Sequence, residues 1–324
     1  MRAVVYDRTG AAADVLRLVE VPDPAPGPGQ VRVRIEWSGV NPSDVKRRVS
    51  GVGLPEDGHR IPHQDGGGVI DQVGDGVDAA RIGERVWIHH AAKDDPFGTA
   101  AEYTCVAEHR AMALPDGVST RTGAGLGVPY MTAYHALFDR GGVLGRTVLV
   151  TGGAGACGLA AVQLGRHAGG RVIATVSTEA KADVARRGGA HHVLRYTAED
   201  HRDHLAAAVP YGIDHVVDVA LASNIGTYAD LLSPGATVVA YAREDEDPVL
   251  PMRLLTVRNV DVRFMMVYQL QAHQHRAAVR GIASALEEGV AGPLEFVEYD
   301  LEDVVAAHEM VEQGAEGKVV VRVA

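Results

Sequence analysis

The fold of this chain is decided by one stretch, VLVTGGAGACG, which runs from Val148 to Gly158. Its first three residues are typical of a buried strand, its glycines predict a tight turn, and residues 159–167 predict a helix. Gly153, Gly155 and Gly158 have the G-x-G-x-x-G spacing, in which the missing side chains let the backbone approach a pyrophosphate. The helix N-terminus behind the turn adds free N–H donors and the positive end of a dipole.

An ordinary glycine-rich turn would show the same spacing. The strand before the turn and the helix after it favour dinucleotide binding instead. We therefore predict cofactor contacts at Gly155, Ala156, Cys157 and Gly158, made by the backbone rather than by the Cys157 thiol.

Composition narrows the class of protein. The 324 residues carry a net charge of −11, which argues against nucleic acid or an anionic membrane as a partner. No apolar run approaches the roughly 20 residues that span a bilayer. Met1 leads directly into a strand-like run, so we expect no signal peptide and a cytoplasmic location. Two cysteines, Cys105 and Cys157, are too few for a disulfide framework or a four-thiolate zinc site.

The length and the order of the predicted elements indicate two domains. Up to about residue 114 the pattern consists of short strands and turns, which predicts a β-rich, partly closed barrel. Val31, Val33 and Ile35 alternate with charged residues there, as in a half-buried strand. From Val128 onward strands and helices alternate, which predicts right-handed β-α-β units around a parallel sheet. A long helix at 269–288, a helix at 301–313 and a strand at 318–323 follow.

The end of the second strand of that sheet bears on the choice between NAD and NADP. Val176 occupies the slot where an acidic residue would bind the ribose of NAD. Ser177, Lys181 and Tyr196 could together hold a 2′-phosphate, and a lysine in the first turn of a helix favours an anionic partner. The sequence therefore predicts NADPH. Two alternatives remain. Lys181 could be merely a solvated lysine, and NADH could be the cofactor because Glu179 lies nearby.

Four segments, taken together, resemble the quinone oxidoreductase (ζ-crystallin-like) branch of the medium-chain dehydrogenase/reductase superfamily. They are the G-V-N-x-x-D segment at 39–44, the G-x-x-x-x-T-A-Y segment at 127–134, the glycine fingerprint at 149–163, and Ser177 to Lys181 with Tyr196. The resemblance implies an α/β fold, with a GroES-like β-rich catalytic domain and a Rossmann domain with a doubly wound parallel sheet. It places the catalytic domain at residues 1–120 and 290–324 and the NADPH-binding domain at 121–289.

The resemblance also implies NADPH in a cleft between the domains, and frequently a dimer. Further cofactor contacts are predicted at Tyr241, Ala242 and Met266. We expect the dimer to form through the apolar run at 261–267, since an exposed strand edge is usually covered by pairing.

The same comparison argues against a metal. Zinc-dependent members carry a Cys ligand where this chain has the segment Asn41-Pro42-Ser43-Asp44. The pairs His89-His90 and His191-His192 are expected to point in opposite directions along strands, which makes them poor chelates. We predict no metal site.

Departures from the family pattern lie in the first domain. Lys46 occupies the position of a tyrosine that many members place near the nicotinamide, and residues 50–53 lack the proton-donating tyrosine of enoyl reductases. The sequence HQD at residues 63–65 replaces a more typical glycine-containing turn. These changes leave the substrate unidentified.

Hydride transfer from a nicotinamide needs positioning more than it needs a protein acid. We expect Asn41 and Thr132 to orient nicotinamide and substrate, and Lys46 or Asp44 to set the local charge. The alternatives are that Asn41 is only a turn residue before Pro42 and that Lys46 is a solvated lysine. The predicted activity is reduction of quinones or similar small conjugated carbonyl compounds. Reduction of enone or enoyl carbon–carbon double bonds is the alternative, and a nucleotide-binding protein without catalytic function is the rival from another class.

Overall fold

The computed structural model describes residues 1–56 and 58–324 and divides them into two units. The first unit contains Met1–Val128 and Glu295–Ala324, and the second contains Pro129–Leu294. The sequence-based boundaries, residues 120 and 290, lie a few residues before the ones in the structure. Among the described residues, no helix is both long and apolar enough to cross a membrane.

The strands alternate regularly with helices in the middle of the chain. In chain order the strands are β1 (Arg2–Val5), β2 (Arg17–Glu20), β3 (Gln30–Gly39), β4 (Asp65–Val73), β5 (Arg85–Ile88), β6 (Tyr103–Ala107), β7 (Ala111–Ala113), β8 (Thr147–Val150), β9 (Arg171–Val176), β10 (His192–Arg195), β11 (Ile213–Asp218), β12 (Leu232–Ala240), β13 (Asp261–Phe264), β14 (Phe296–Asp300) and β15 (Lys318–Arg322). The α-helices are α1 (Ala12–Val15), α2 (Pro42–Ser50), α3 (Thr120–Gly123), α4 (Gly127–Phe138), α5 (Ala156–His167), α6 (Glu179–Arg187), α7 (His201–Ala208), α8 (Leu221–Tyr228), α9 (Met252–Val257), α10 (Ala272–Glu287) and α11 (Val304–Gln313).

The first unit is built on a seven-stranded, mostly antiparallel sheet. Its order is β14-β15-β3-β4-β5-β7, with β6 also paired to β3, and a separate ribbon joins β1 to β2. Val31, Val33 and Ile35 are fully buried along β3, as their alternation with charged residues predicts. The C-terminal segment joins this sheet because β15 pairs with β3.

The second unit is a doubly wound parallel sheet of the predicted kind. Its order is β10-β9-β8-β11-β12-β13, with every neighbouring pair parallel. The order of the strands along the chain reverses between β8 and β11. In open sheets of this type, ligands bind in the crevice at such a switch point, outside the carboxyl ends of the strands.

Several predicted boundaries were wrong in detail, among them the start of the helix predicted at residue 301, which is a 3₁₀ turn followed by α11 from Val304. Helix α5 begins at Ala156 rather than Leu159, because Gly155 already takes the extended N-cap conformation. Strand β13 ends at Phe264 rather than continuing to Val267, where a one-turn 3₁₀ helix starts and delays α10 to Ala272. In the described residues β13 pairs only with β12, so it is an edge strand. The dimer expected there stays a prediction.

A chain of buried hydrogen bonds crosses the first unit. His308 Nε2 lies 3.0 Å from His63 Nε2, and His63 Nδ1 lies 2.8 Å from Ser38 Oγ. Ser38 Oγ is 2.7 Å from Thr99 Oγ1, which donates to the Asp65 carbonyl oxygen at 2.5 Å. Because the last acceptor cannot donate, every bond upstream has its direction fixed, and His308 must donate from Nε2 to His63.

This series of hydrogen bonds accounts for the unusual sequence HQD at residues 63–65. His63 has a φ of 77°, in the left-handed region that favours glycine. Its ring is held at both nitrogens, which offsets the backbone cost of that conformation. Burial lowers the pKa of His63 well below its ordinary value, and burial, together with the charge of Arg48, lowers the pKa of His308 to about 3.

We expect the free energy of unfolding to fall steeply below pH 6.5. The folded pair resists protonation while the unfolded histidines accept protons, so stability present at neutral pH is lost as the pH falls towards 3. The substitution H308Q keeps a donor to His63 but removes one titrating group. In urea titrations it should reduce the slope of the free energy of unfolding against pH by about 1.4 kcal/mol per pH unit between pH 6 and 4.

Exposed His204 on α7 gives the control. H204Q should leave the slope of the free energy of unfolding against pH as in the unsubstituted protein. A slope that H308Q and H204Q change equally would show that burial of the pair is not its source.

Candidate functional site

The glycine turn between β8 and α5 contains two glycines that the fold requires, Gly153 and Gly158, and one that it does not, Gly155. A Cβ on Gly158 would lie 2.1 Å from the Gly152 carbonyl oxygen, and one on Gly153 would lie 2.6 Å from Ala174 Cβ. A Cβ on Gly155 would meet nothing closer than 3.5 Å. Gly155 is exposed, so the space beside it is open for a ligand to approach the backbone.

Helix α5 presents its N-terminus at this turn. Gly155 is the N-cap, with no side-chain group on the first amides, and Ala156 and Cys157 are half-buried. Gly158 is buried under them and lets the turn close against α5. Three of the four residues predicted to contact a diphosphate are thus accessible, at a helix end that favours anions.

Asp218, at the end of β11, organises the switch point and was missed by sequence reasoning. Its fully buried carboxylate accepts hydrogen bonds from Thr151 Oγ1 (2.7 Å), the Ala220 amide (2.9 Å), Asn224 Nδ2 (2.8 Å) and the Tyr228 hydroxyl (2.6 Å). Thr151 lies just after β8, so this carboxylate joins the ends of the two strands where the order reverses. The only local signal was an acidic residue directly after the buried run at 214–217.

Tyr241 lies near the same carboxylate. Its backbone amide donates to the Asp218 carbonyl oxygen at 3.1 Å. Burial, followed by the charges of Cys157 and Asp218, raises the pKa of the Tyr241 hydroxyl well above its ordinary value. The structure thus brings Tyr241 close to Cys157, at the carboxyl edge of the sheet.

The residues predicted for the 2′-phosphate meet at the ends of β9 and β10. Thr178 caps α6 by accepting a hydrogen bond from the Lys181 amide at 3.2 Å. The Tyr196 amide donates to the Val176 carbonyl oxygen at 3.0 Å, which places Tyr196 beside half-buried Ser177. Within the part of the chain that the structure describes, the Lys181 ammonium has neither a hydrogen bond nor an ion pair.

Glu179 is the residue that left NADH as the alternative cofactor. Its carboxylate is already paired with arginines. Arg186 Nη1 lies 2.8 Å from one of its carboxylate oxygens, and Arg195 Nε lies 3.7 Å from the other. Both arginines are half exposed, so each pair is weak on its own. Arg186 Nη1 also lies 2.7 Å from Asp183 Oδ1. With Lys181, three cations therefore stand against two carboxylates, which leaves this corner of the second unit a small excess of positive charge. Sequence reasoning missed Arg195 because its partner is 16 residues away.

A narrow recess opens beside Tyr196 in the second unit. It has about 350 Å³ of atom-free space, including its open mouth, and its lining includes Thr151, Thr175, His201 and Asn224. Ala242 and Met266, both exposed, follow β12 and β13 at the same edge of the sheet. All ten predicted cofactor residues therefore lie at the carboxyl edge of one parallel sheet, and their individual roles stay predictions.

The four predicted catalytic residues are divided between the units. Asn41, Asp44 and Lys46 lie on or beside α2 in the first unit, and Thr132 is buried in α4 in the second. Lys46 is exposed, which also agrees with the alternative interpretation that it is a solvated lysine.

The Asn41 side chain is buried and engaged within the protein. Its Nδ2 donates to Asp65 Oδ2 at 2.7 Å, and its Oδ1 accepts from Lys318 Nζ at 2.7 Å. Its backbone amide donates to Asp44 Oδ2 at 2.9 Å, which makes Asn41 the N-cap residue of α2. Burial and the neighbouring Asp65 raise the pKa of the Asp44 carboxyl to about 7. Asn41 thus fixes the start of a helix that carries a carboxyl near its titration point.

The two histidines after β5 do not behave as an extended strand. His89 lies just past the strand, and His90 has a φ of 55°, which turns the chain. Their ring centroids are only 5.2 Å apart, so the expected opposite orientation was wrong.

Comparison with known proteins identifies relatives of both units. Residues 27–116 match the family model of the alcohol dehydrogenase GroES-like domain, and residues 156–284 match that of the zinc-binding dehydrogenase. The chain is 30% identical over 328 residues to a quinone oxidoreductase of Lama guanicoe, covering 99% of this chain and 97% of that protein. It is 34% identical over 212 residues to the 2-methylene-furan-3-one reductase of Solanum lycopersicum, covering 63% of this chain and 54% of that one.

Solved structures share the fold over the full length. An NAD-dependent alcohol dehydrogenase is 27% identical, with a TM-score of 0.87 and complete coverage of both chains. The quinone oxidoreductase of Thermus thermophilus, solved alone and with NADPH, is 28% identical, with a TM-score of 0.83 and complete coverage of both chains.

Two glycine substitutions should separate folding from dinucleotide binding. G158A should destabilise the second unit severely, because its methyl group would overlap a backbone oxygen that cannot move away. G155A should leave the melting temperature within about 2 °C, since its methyl group meets only ordinary contacts, yet weaken binding of a nicotinamide dinucleotide about tenfold or more. Differential scanning fluorimetry and calorimetric titration measure the two effects. Unchanged affinity in G155A would remove the glycine turn from the binding site.

Proposed function

The chain belongs to the quinone oxidoreductase branch of the medium-chain dehydrogenase/reductase superfamily, and from this premise we propose that it is an NADPH-dependent, zinc-independent reductase of quinones or similar small conjugated carbonyl compounds. Membership in the family makes it an oxidoreductase that uses a nicotinamide dinucleotide. The choice of NADPH and the substrate class form the proposal. The observation that carries it is the cationic corner around Lys181, in which the acidic side chains of Glu179 and Asp183 are both paired with arginine.

NADPH is favoured over NADH by the balance of charge at the end of β9. A 2′-phosphate placed beside Ser177 would meet the Lys181 ammonium and a hydroxyl donor, and Tyr196 would lie alongside. Glu179 would repel that phosphate if it were bare, but Arg186 and Arg195 hold its carboxylate. Val176 leaves no carboxylate in the position that selects NAD.

The rest of the dinucleotide would be held mainly by backbone. The amides of Ala156 and Cys157 lie in the first turn of α5, at a helix N-terminus where a diphosphate is favoured. The Gly155 amide donates to the Gly152 carbonyl oxygen at 3.0 Å, so Gly155 contributes open space rather than a free donor. Tyr241, Ala242 and Met266 would flank the remainder of the cofactor from the ends of β12 and β13. Bound NADPH supplies the hydride, and the side chains of this protein supply position and electrostatics.

On the substrate side, the residues around α2 set charge and shape. A quinone is already electrophilic, and its reduced oxygens can take protons from water, so no protein acid is required. Asp44 would govern the charge felt by substrate, with Lys46 exposed beside it on the same helix. The engagement of Asn41 with Asp65 and Lys318 supports an indirect role for Asn41, in holding α2.

Zinc independence is supported by what stands in the position of a metal-binding cysteine. The segment from Asn41 to Asp44 occupies it, and the Asn41 amide oxygen accepts from a buried ammonium. An amide oxygen engaged in this way is a poor substitute for a thiolate ligand of zinc.

Reduction of an enone carbon–carbon double bond is the second candidate. The tomato relative acts, by its name, on a 2-methylene-furan-3-one, in which a carbon–carbon double bond is conjugated to a ketone. Enones and quinones share an electrophilic carbon conjugated to a carbonyl group, so the same positioning of hydride donor and acceptor would serve both.

The Lys181 ammonium should determine the preference for NADPH. A charge-assisted hydrogen bond contributes roughly 1.5–3 kcal/mol, so K181A should weaken NADPH binding by about one to two decades and leave NADH binding almost unchanged. Calorimetric titration of both cofactors measures the difference. R253A, which removes a cation from exposed α9 in the same unit, is the matched control. Equal losses for NADPH and NADH in K181A would contradict the assignment.

A substrate panel tests the activity itself. With NADPH and the purified protein, quinones should be reduced faster than enones or enoyl thioesters, as followed by loss of NADPH absorbance. Turnover of enones without quinones would favour the second candidate. Tight NADPH binding with no turnover of any conjugated carbonyl would favour a nucleotide-binding protein without catalytic function.

A further inference from the structure

Lys318 carries a buried ammonium group into the first unit. It is the first residue of β15 and is only 3% exposed. Its Nζ donates to Asn41 Oδ1 at 2.7 Å and to the Val40 carbonyl oxygen at 3.1 Å, and it lies 3.6 Å from Asp65 Oδ2. A C-terminal strand thus delivers a cation to the start of α2, 277 residues earlier in the chain.

The surroundings of the ammonium are closed and anionic. Asp65 is fully buried, and its two carboxylate oxygens accept from Asn41 Nδ2 at 2.7 Å and from the Val128 amide at 2.9 Å. A Cβ on Gly127 would lie 2.1 Å from Asp65 Oδ1, so the backbone of Gly127 packs closely against this carboxylate. Asp44 faces the same group from α2. The charges assembled here are therefore two carboxyl groups and one ammonium.

Burying an ammonium or a carboxylate is costly unless the charge is compensated by a partner and by hydrogen bonds. Here both conditions are met, and the shared partner is the Asn41 amide, which accepts from Lys318 and donates to Asp65. The Asn41 backbone in turn caps α2 through Asp44. Displacing any of these groups would release the first turn of that helix.

We propose that Lys318 is a positioning residue: its buried ammonium, held by Val40, Asn41 and Asp65, fixes the first turn of α2 and with it the substrate-side residues Asn41, Asp44 and Lys46. Asn41 then acts through its fixed place rather than by direct contact. A methionine of similar size would fill the same space without its charge, so a simple packing role and a charge-dependent role give different results.

A double-mutant cycle measures the charge dependence. K318M leaves Asp65 uncompensated and should lower the melting temperature at pH 7 by roughly 10 °C. D65N leaves the ammonium uncompensated and should lower it to a similar extent. The double variant D65N/K318M should lose clearly less than the sum of the two single losses. Additive losses, or K318M as stable as the unsubstituted protein, would overturn the proposal.

The cycle remains informative if K318M fails to fold. K318Q keeps a donor for the Asn41 oxygen without the charge, and D65N/K318Q then completes the cycle. Recovery in the double variant supports the proposal, whereas unfolding of D65N/K318Q together with K318Q contradicts it. R322M is the matched control, since Arg322 is an exposed residue of the same strand paired with Asp300 at 2.6 Å, and it should change little.

Hydrogen exchange provides a readout that packing alone would not move. In K318M or K318Q, amides of α2 should exchange about tenfold or more faster, because a charge-assisted hydrogen bond holds its first turn. Amides of β8 in the second unit should keep their rates, and R322M should leave both segments unchanged. Uniformly faster exchange in both units would indicate general destabilisation and contradict a positioning role.

The importance of α2 to substrate rests on the proposed function, but these measurements use neither cofactor nor substrate. Failure of the cycle would therefore discard the role of Lys318 alone, and failure of the substrate panel would discard the reductase alone. If both hold, K318Q should reduce kcat for a quinone more than it raises the KM for NADPH.

Discussion

The second unit depends on one close approach, in which the backbone of Gly158 passes against the carbonyl oxygen of Gly152. A single methyl group at Gly158 would come within 2.1 Å of that oxygen. The contact lets α5 start immediately after the turn, with its N-terminus at the carboxyl edge of the sheet. Because Gly155 in the same turn is free of such contacts, the fold places an open, donor-rich backbone beside the switch point between β8 and β11.

Buried polar groups hold each unit around its own site. In the second unit the carboxylate of Asp218 collects four donors and joins the ends of two parallel strands. In the first unit the Asn41 amide joins a carboxylate to an ammonium. Since an unpaired polar group in the interior is costly, such fully bonded networks admit few alternative arrangements. They make the positions of α2 and of the switch point specific rather than merely stable.

Sequence reasoning located the glycine turn, the parallel sheet and the edge strand because each of these leaves a local pattern in the chain. It did not locate Asp218, because one acidic residue after a strand is not distinctive. It could not locate Lys318 or the pair His63 and His308, whose partners lie hundreds of residues away. It assigned Asn41 to orienting nicotinamide and substrate because of the family resemblance, and that role stays a prediction. Sequence reasoning could not foresee that both polar ends of the Asn41 amide are engaged within the protein.

The acidic character of the whole chain and an anionic cofactor are compatible because screening confines electrostatics to short distances. At physiological ionic strength the Debye length is about 8 Å, so a charge is governed by its immediate neighbours rather than by a net charge of −11. Around the end of β9 those neighbours are the cations of Lys181, Arg186 and Arg195. The carboxylates there, those of Glu179 and Asp183, are already paired. A distant carboxylate would slow the approach of a dinucleotide slightly. Under the proposed function, it is the corner around Lys181 that would hold a 2′-phosphate.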